Sequence, residues 1–292
     1  MDNFKNAVET IMTPSMPVFV IGIAIVLLVP LILHFYLSHK GSYTVLPSVL
    51  LAGPSGAGKT SLLTLFERKA PTTTHTSQTW SAVELAINEE GTSSFRDDLD
   101  ATGSTARKFL IVDTPGHGKL RHHAFTRLTP PATASAKLKA VVFMVDAAAL
   151  SEPEVLASTA AYLYDILLML QKRMGSTKSS KAPYTIPLLI AANKLDLFTA
   201  LPAALVKSNL EAELGRIRKT RSKGLLDSGV GTDEIGAGSE ENDDWLGEYG
   251  SGKFSFNQMR EFDIDVDVMG GNIQGGDGPG VDKWWTWIGD KI

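Results

Sequence analysis

The stretch GPSGAGKT at residues 53–60 matches the pattern G-x-x-x-x-G-K-[ST] and decides the fold. It follows an apolar run at Ser48–Ala52 and opens a helical pattern at Thr60–Lys69. In that context, glycines turn backbone N–H groups toward phosphate oxygens, and the helix N-terminus adds partial positive charge. A chance match in a glycine-rich turn would lack the flanking strand and helix. The stretch therefore predicts a phosphate-binding loop in an α/β domain.

A second motif, DTPG at residues 113–116, is predicted to complete the phosphate site. In the loop, Lys59 is expected to reach the β and γ phosphates, and the Thr60 hydroxyl is expected to bind Mg²⁺. In the second motif, Asp113 is expected to hold Mg²⁺ through water, and the Gly116 N–H to contact a γ phosphate. The expected phosphate-binding residues are Gly53, Ser55, Gly56, Ala57, Gly58, Lys59, Thr60, Ser61 and Gly116.

The stretch NKLD at residues 193–196 follows another apolar run and indicates which base is bound. The Asp196 carboxylate can accept hydrogen bonds from both the ring N–H and the exocyclic amine of guanine, a pair that adenine lacks. The wrong base would leave this carboxylate unpaired, so the motif selects GTP over ATP. A helix cap by Asn193 or Asp196 is the plainer interpretation. Three motifs in this order favour a guanine site with Asn193, Lys194 and Asp196 as base contacts.

Apolar runs typical of strands alternate with helical patterns along the chain. This alternation indicates a parallel sheet covered by helices on both faces. The predicted fold class is therefore α/β, a P-loop GTPase fold with a mostly parallel sheet. The predicted strands are Ser48–Ala52, Val83–Ile87, Phe109–Asp113, Ala140–Asp146 and Pro187–Asn193. The predicted helices are Thr60–Lys69, Glu154–Met174, Ala203–Lys219 and a closing aromatic helix at Val281–Ile292.

The run PVFVIGIAIVLLVPLILHFYL at residues 17–37 has the length and composition of a transmembrane helix. Its only ionisable group is His34, and its internal Pro30 is tolerated in membrane helices. A signal peptide would have a basic leader and a shorter apolar core. Because GTP chemistry belongs in the cytosol, we expect a short lumenal N-terminus at 1–16, a transmembrane helix at 17–37 and a cytosolic GTPase domain at 38–292.

Charge is distributed unevenly along the chain. The net charge is −4, but residues 227–252 contain eight Asp or Glu and no Lys or Arg, so the remainder carries +4. The acidity is local, and the whole-chain charge does not bear on nucleic-acid binding. The stretch at about 225–252 is rich in Gly and Ser and is predicted to be a flexible loop. The absence of cysteine excludes disulfides and thiolate zinc sites.

Two features of the predicted switch segments leave alternatives open. A switch loop needs one Thr whose hydroxyl binds Mg²⁺, and TTTHTSQT at residues 72–79 offers several. His117 follows Gly116, at the position where many small GTPases carry the Gln that orients the attacking water. His117 is therefore the candidate catalytic residue. A solvated loop histidine, with slow intrinsic hydrolysis, fits the sequence equally well.

The set GPSGAGKT, THTSQT, DTPGH and NKLD, behind one N-terminal membrane helix, resembles the β subunit of the signal recognition particle receptor. The segments VVFMVDAAAL at 141–150, LEAELGRIRKTRS at 210–222 and GKFSFNQM at 252–259 are also similar to that family. The resemblance covers about residues 17–292. It implies an Arf-like GTPase of the endoplasmic reticulum membrane, with GTP and Mg²⁺ as cofactors.

The resemblance also implies site residues. Thr76 aligns with the switch threonine, so the implied Mg²⁺ residues are Thr60, Thr76 and Asp113. The family commonly has a Ser-Ala-Lys type of base-contacting loop after the last strand. Here the equivalent is interpreted as Asp267-Val268-Met269, with Val268 as the implied guanine contact.

The implied partner is the N-terminal domain of the receptor's α subunit, bound as a heterodimer in the GTP state. The signal recognition particle, the ribosome and the translocon would be reached indirectly, and membrane lipid would surround the anchor. Two rival functions are an Arf- or Sar-type vesicle-trafficking GTPase and a membrane receptor that binds GTP without turnover. A translation-type GTPase shares the DTPGH string but should not carry a membrane anchor.

Overall fold

The chain is described by a computed structural model in eight ranges. The residues described are 16–40, 46–87, 107–129, 138–176, 185–227, 246–247, 253–275 and 278–292. Contacts divide the chain into two compact units, Met1–Val45 and Leu46–Ile292.

Helix α1, Met16–Lys40, is the described part of the first unit. Its 25 residues extend over about 37 Å at the usual rise per residue, and Pro30 lies inside it. Its apolar side chains are exposed, with Val26 at 70% and Leu31 at 66%. The run predicted at 17–37 is therefore helical, and its place in a membrane stays a prediction.

A helix other than α1 is long and apolar enough to span a membrane. Among the described residues, Pro153–Gly175 meets both criteria, and 44% of its most apolar window is buried inside the protein. Such burial is what the core helix of a folded domain shows. Gly22–Phe35, within α1, is a shorter apolar helix.

Six strands of the second unit form one sheet. They are β1 (Ser48–Ala52), β2 (Ser81–Ile87), β3 (Arg107–Asp113), β4 (Leu138–Asp146), β5 (Leu188–Asn193) and β6 (Val266–Gly270). Their order is β2-β3-β1-β4-β5-β6, and only the β2–β3 pair is antiparallel. Strands β4 and β5 are buried almost throughout, as their continuously apolar sequences require.

Helices cover both faces of this sheet. They are α2 (Lys59–Arg68), α3 (His122–Leu128), α4 (Pro153–Ser176), α5 (Ala203–Asp227) and α6 (Asp282–Lys291). One core cluster joins the sheet to α4 and α5, and a second joins it to α2 and α6. The neighbours Val49 and Leu50 of β1 enter opposite clusters because strand side chains alternate between faces. The predicted fold class is confirmed.

The closing aromatic helix packs against the sheet, as its sequence predicts. Trp284 and Trp285 are buried, and the Trp285 ring lies 4.9 Å from that of Phe66 between centroids. Two indole N–H groups bind β6: Trp284 Nε1 donates to Met269 O at 3.3 Å, and Trp287 Nε1 donates to the Asp267 carboxylate at 2.8 Å. Helix α6 therefore holds strand β6 in place through these two hydrogen bonds.

Two parts of the stretch predicted as a flexible loop at 225–252 belong to the folded domain. Helix α5 continues to Asp227, and Leu246 is fully buried against the domain. The Gly247 N–H donates to Gln171 Oε1 at 3.0 Å, and Arg218 donates to Leu246 O at 3.4 Å. The loop interpretation is wrong for these residues, while 228–245 and 248–252 lie outside the described part of the chain.

Candidate nucleotide-binding site

The phosphate loop turns sharply between β1 and α2. Gly53 has a φ of 136°, and a Cβ at this position would lie 2.2 Å from Met144 O of β4. Glycine is therefore required both for the left-handed backbone and for the close approach to the sheet. The chain then curls around Lys59, whose ammonium donates to Gly53 O at 2.9 Å and Pro54 O at 2.8 Å.

The Lys59 ammonium is buried against the phosphate loop. Burial lowers its pKa to about 8, and the nearby Asp113 carboxylate opposes this shift. A buried ammonium held by two carbonyl oxygens is short of the negative charge that would offset its desolvation. The triphosphate oxygens expected at this loop would supply that charge.

Asp113 and Thr60 meet at the carboxyl edge of the sheet. The Thr60 hydroxyl donates to Asp113 Oδ2 at 2.6 Å, and it shares a hydrogen bond with the Ser77 hydroxyl at 3.2 Å. Burial raises the pKa of Asp113, and the hydrogen bond from Thr60 and the charge of Lys59 oppose the rise. This edge of the sheet is where parallel α/β proteins bind ligands.

The donor set at this edge fits Mg²⁺. Asp113 Oδ1 is buried and has no hydrogen-bond partner among the described residues. A free carboxylate oxygen beside two hydroxyls offers the oxygen ligands that Mg²⁺ prefers, directly or through its waters. Thr60 and Asp113 would hold the ion, and a bound Mg²⁺ would neutralise phosphate charge.

Gly116 lies against the phosphate loop. A Cβ at Gly116 would come within 2.5 Å of Ser55 N and 2.6 Å of the Lys59 ammonium. Only glycine lets the backbone after Asp113 approach this closely. The structure thus brings Gly116 to the side of the cleft where a terminal phosphate is expected.

The segment before β2 closes the other side of the phosphate cleft. Thr74, His75, Thr76 and Ser77 line the cleft together with Ser55, Gly56, Gly58, Lys59, Thr60 and Ser61. Thr76 lies in the cleft as expected, but Ser77 makes the hydrogen bond to Thr60, and Thr74 shares one with Ser61 at 2.8 Å. Mg²⁺ binding by Thr76 stays a prediction. Ser77 was one of several hydroxyls in that segment, and the sequence carried no signal that singled it out.

Asn193 joins the phosphate loop to the base end of the cleft. Its side-chain amide donates to Ala57 O at 2.9 Å, and its carbonyl accepts the Ile273 N–H at 3.2 Å. Asn193 is buried, so both bonds lie out of water. The first residue of the NKLD motif therefore acts as a structural link, which its position after β5 makes possible.

The base end of the cleft is lined by residues from three parts of the chain. They are Gly56, Gly58, Ser61, Asn193, Lys194, Asp196, Leu197, Ile273 and Gln274. Asp196 is exposed there, and a Cβ at Gly275 would lie 2.2 Å from its carboxylate. Lys194 has a φ of 66° and forms an ion pair with Asp146 at the end of β4. Asp146 went unnoticed in the sequence, although it ends a strand as Asp113 and Asn193 do.

The interpretation of Asp267-Val268-Met269 as the base-contacting loop is wrong. These residues belong to β6, where Val268 pairs with Ile190 and packs on the core beneath α4 and α5. The chain reaches the cleft only after Gly270, at Ile273 and Gln274. The missed signal is the alternation of apolar and acidic residues from Ile264 to Val268, which is typical of a strand with one face in the core.

Asn272 shapes the loop that follows β6. Its side-chain amide lies within hydrogen-bonding distance of three carbonyl oxygens, those of Gln274, Gly275 and Gly278, at 3.5, 3.1 and 3.0 Å. The backbone carbonyl of Asn272 accepts the Gly280 N–H at 2.8 Å. One side chain therefore holds the loop that carries Ile273 and Gln274 to the cleft.

His117 does not have the position expected of a residue that orients the attacking water. Its ring Nδ1 accepts the Lys119 N–H at 3.4 Å and caps a short 3₁₀ turn at Gly118–Leu120. The residue is exposed, and it is not among those that line the phosphate cleft. A catalytic role for His117 stays a prediction.

Comparison with known proteins identifies the same architecture elsewhere. Residues 44–262 match the family model described as signal recognition particle receptor beta subunit. The chain is 36% identical to signal recognition particle receptor subunit beta of Saccharomyces cerevisiae over 61% of either protein. It is 29% identical to the protein of that name from Mus musculus over 72% of this chain and 65% of the relative. The chain thus spans less than two thirds of the length of these relatives.

Solved structures agree with this match. The fold superposes with a TM-score of 0.71 on the signal recognition particle receptor SRb-GTP/SRX complex from Chaetomium thermophilum, which is 48% identical and covers 84% of this chain and all of that one. For SRb-GDP-Mg from the same organism the TM-score is 0.63, at 51% identity, with 86% of this chain and all of that one covered. The family match covers most of the described domain, including the phosphate loop, DTPG and NKLD motifs. This chain therefore belongs to the signal recognition particle receptor beta subunit family.

Proposed function

We propose that this chain is the GTP-binding, membrane-anchored subunit of a signal recognition particle receptor. In its GTP state it docks the N-terminal domain of the receptor's α subunit at the endoplasmic reticulum for cotranslational protein targeting. One observation carries the proposal. Two separate segments converge on the same end of the cleft, Ser77 through its bond to Thr60 and Gly116 through its approach to Lys59.

That convergence is what a nucleotide-dependent docking surface requires. A γ phosphate at this end would contact both segments at once, and its loss would release them together. Relatives supply support: a C. thermophilum SRb forms a complex with SRX in the GTP form, and structures of it with GDP and with GDP-Mg are also known.

The nucleotide is proposed to be GTP with Mg²⁺. Lys59 and the loop amides would hold the phosphates, while Thr60 and Asp113 would hold the metal. Asn193, Lys194 and Asp196 would form the guanine end, with Ile273 and Gln274 replacing the expected Val268. Slow intrinsic hydrolysis is proposed, since the His117 ring is committed to the Lys119 N–H.

The anchor is proposed to be α1. It would cross the membrane once, with residues 1–16 in the lumen, 17–37 in lipid and 38–292 in the cytosol. The exposure of its apolar side chains supports this, because burying them in lipid recovers the cost of leaving them in water. The Arf- or Sar-type alternative attaches by an amphipathic helix or a lipid, so resistance to carbonate extraction distinguishes the two.

The docking step is tested by capture of the α subunit's N-terminal domain on the purified full chain. GTP-loaded protein should retain the domain and GDP-loaded protein should not. Gly116→Ala is the matched variant, because its added methyl group would meet the phosphate loop and keep Gly116 from approaching the γ phosphate. This variant should bind GDP yet fail to capture the domain with GTP. Equal capture in both nucleotide states would refute the switch.

A further inference from the structure

We call residues 70–83 and 114–129 the two switch segments. We propose that the surface formed by these segments recognises an acidic stretch of the protein partner. The inference rests on the proposed docking function and deepens it by naming the chemistry of the partner. We define the basic switch surface as Trp80, His117, Lys119, His122, His123 and Arg127. Apart from His117, the candidate water-positioning residue, none of these residues has been given a role at the nucleotide site.

The charge of the two segments is one-sided. Residues 114–129 contain Lys119, Arg121 and Arg127 with three histidines and no Asp or Glu. Residues 70–83 also contain no Asp or Glu. By contrast, Lys108 on β3 is paired with Glu84 on β2 at 3.0 Å. Lys119 and Arg127 therefore give residues 114–129 a positive charge that residues 70–83, which contain no Lys, Arg, Asp or Glu, do not neutralise.

Arg127 and Trp80 lie at the junction of the two segments. The Arg127 guanidinium carbon lies 4.2 Å from the centroid of the Trp80 ring, which is the geometry of a cation–π contact. Trp80 is 47% exposed although it is a large apolar residue. Trp and Arg are the residue types that most often dominate binding energy at protein interfaces, and here they are stacked and held in place before a partner arrives.

The stack also makes the surface sensitive to the nucleotide. Trp80 is three residues after Ser77, which contacts Thr60, and Arg127 is on α3, which follows Gly116. Movement of either segment would separate the ring from the guanidinium. The docking surface would thus be complete only when both segments are drawn toward the terminal phosphate.

Arg121 has a different position and marks the inner limit of the surface. Its guanidinium carbon lies 4.2 Å from the centroid of the buried Tyr162 ring on α4, and its Nε is buried without a partner among the described residues. Arg121 therefore packs inward and ties this segment to α4. Among the part of the chain that the structure describes, neither Lys119 nor Arg127 has an ion-pair partner, so their charges remain for an incoming carboxylate.

An acidic protein stretch fits this surface better than the phosphates of the nucleotide or of RNA. Lys119 and Arg127 do not line the phosphate cleft, so they are not placed to hold the nucleotide. Nucleic-acid binding relies on a long row of cations along a backbone, whereas residues 70–83 and 114–129 together contain only three Lys or Arg, and one of these, Arg127, is stacked on an aromatic ring. Carboxylates on a folded partner can pair with Lys119 and Arg127 while an apolar residue covers Trp80.

The test is the affinity of GTP-loaded full chain for the α subunit's N-terminal domain at rising salt. We expect the dissociation constant to rise about tenfold or more between about 50 and 300 mM NaCl, because exposed charge pairs are screened. Lys119→Glu and Arg127→Glu should each weaken binding about tenfold at low salt and flatten the salt dependence. Lys283→Glu, an exposed site on α6, is the matched control and should bind like the wild type.

GTP affinity, measured alongside, should stay unchanged in both switch variants, which separates loss of docking from loss of folding. GTP-dependent capture that is insensitive to salt and to both reversals would overturn this inference and leave the proposed function intact. Competition by RNA of random sequence at stoichiometric amounts would also overturn it. Absence of any GTP-dependent capture would instead refute the proposed function itself.

Discussion

The phosphate end and the base end of the nucleotide cleft are built in different ways. The phosphate end comes largely from one continuous stretch, Gly53–Thr60, whose carbonyl oxygens surround its own Lys59 ammonium. The base end is assembled after β5 and β6 and is held by Asn193, which bonds to residues 136 and 80 positions away in sequence. One end is thus a local structure, and the other depends on correct pairing of distant strands.

The two ends also differ in their exposure to water. Lys59 and Asp113 are buried, and burial shifts the pKa of each toward its neutral form. Asp196 is exposed at the base end. Buried charges interact strongly with an incoming ion because little water screens them, whereas an exposed carboxylate gains its full effect only when the base covers it. We therefore expect the phosphate end to govern affinity and the base end to govern selectivity.

The largest effect is expected from Lys59→Ala. A hydrogen bond to a charged group contributes about 1.5–3 kcal/mol. The ammonium would contact the β and γ phosphates of GTP but only the β phosphate of GDP, so affinity should fall about 100-fold or more for GTP and about tenfold or more for GDP. Fluorescent-nucleotide titration measures this loss. Lys283→Ala, at an exposed site on α6, is the control and should bind as the wild type does. Retained affinity in Lys59→Ala would show that the loop is not the phosphate site.

Asp196→Asn should separate selectivity from affinity. Replacing the charged acceptor removes the partner of two guanine donors, so the preference for GTP over xanthosine triphosphate should fall about 10- to 100-fold. Competition binding with the two nucleotides gives the ratio. Asp290→Asn, an exposed aspartate on α6, serves as the control. An unchanged preference would refute the assignment of Asp196 to the base.

The difference between local structure and the pairing of distant strands also explains how much of the molecule could be predicted from its sequence. Strands β1 to β5 follow from short, largely apolar runs, and their observed bounds differ from the predicted ones by at most two residues. The phosphate loop and DTPG motif also follow from sequence, because each is short and its spacing sets its geometry. Strand β6 was not predicted, although the alternation of apolar and acidic residues from Ile264 to Val268 is typical of a strand with one face in the core.

The spacing of motifs along the sequence could not predict the long-range contacts of the site. The Asn193 bonds to Ala57 and Ile273, the ion pair of Lys194 with Asp146 and the choice of Ser77 among several hydroxyls each depend on how strands pair. Sequence motifs indicate which residues approach a ligand. They do not indicate which other residues hold the ligand-binding residues in place.

Asn193→Ala should affect both ends, since this side chain joins them. Leaving the Ala57 carbonyl and the Ile273 N–H unpaired in a buried place costs about 1–3 kcal/mol, so the free energy of unfolding should fall by that amount. Nucleotide affinity should fall about tenfold for GTP and GDP alike. Denaturant unfolding and nucleotide titration measure the two effects. Asn257→Ala, at an exposed position, is the control, and a loss confined to guanine selectivity would contradict the linking role.

The smallest effect is expected from replacing residues 229–244 with a short Gly-Ser linker. The acidic stretch lies outside both ends of the cleft in sequence, and its composition predicts a segment that buries too little apolar surface to repay ordering. GTP affinity should therefore change less than about twofold. The replacement keeps Asp227 at the end of α5 and the buried Leu246.

The replacement stops at residue 244 so that the contacts of Leu246 and Gly247 are kept. Leu246 receives a hydrogen bond from Arg218, and Gly247 donates to Gln171, so a deletion reaching them would remove contacts to α5 and α4. Leu246→Ala is the matched variant and should lower the free energy of unfolding by about 2–5 kcal/mol, as truncation of a buried leucine does. A large loss of nucleotide affinity in the linker variant, with the Leu246 contacts intact, would mean that the acidic stretch supports the cleft and that the two-ended description is incomplete.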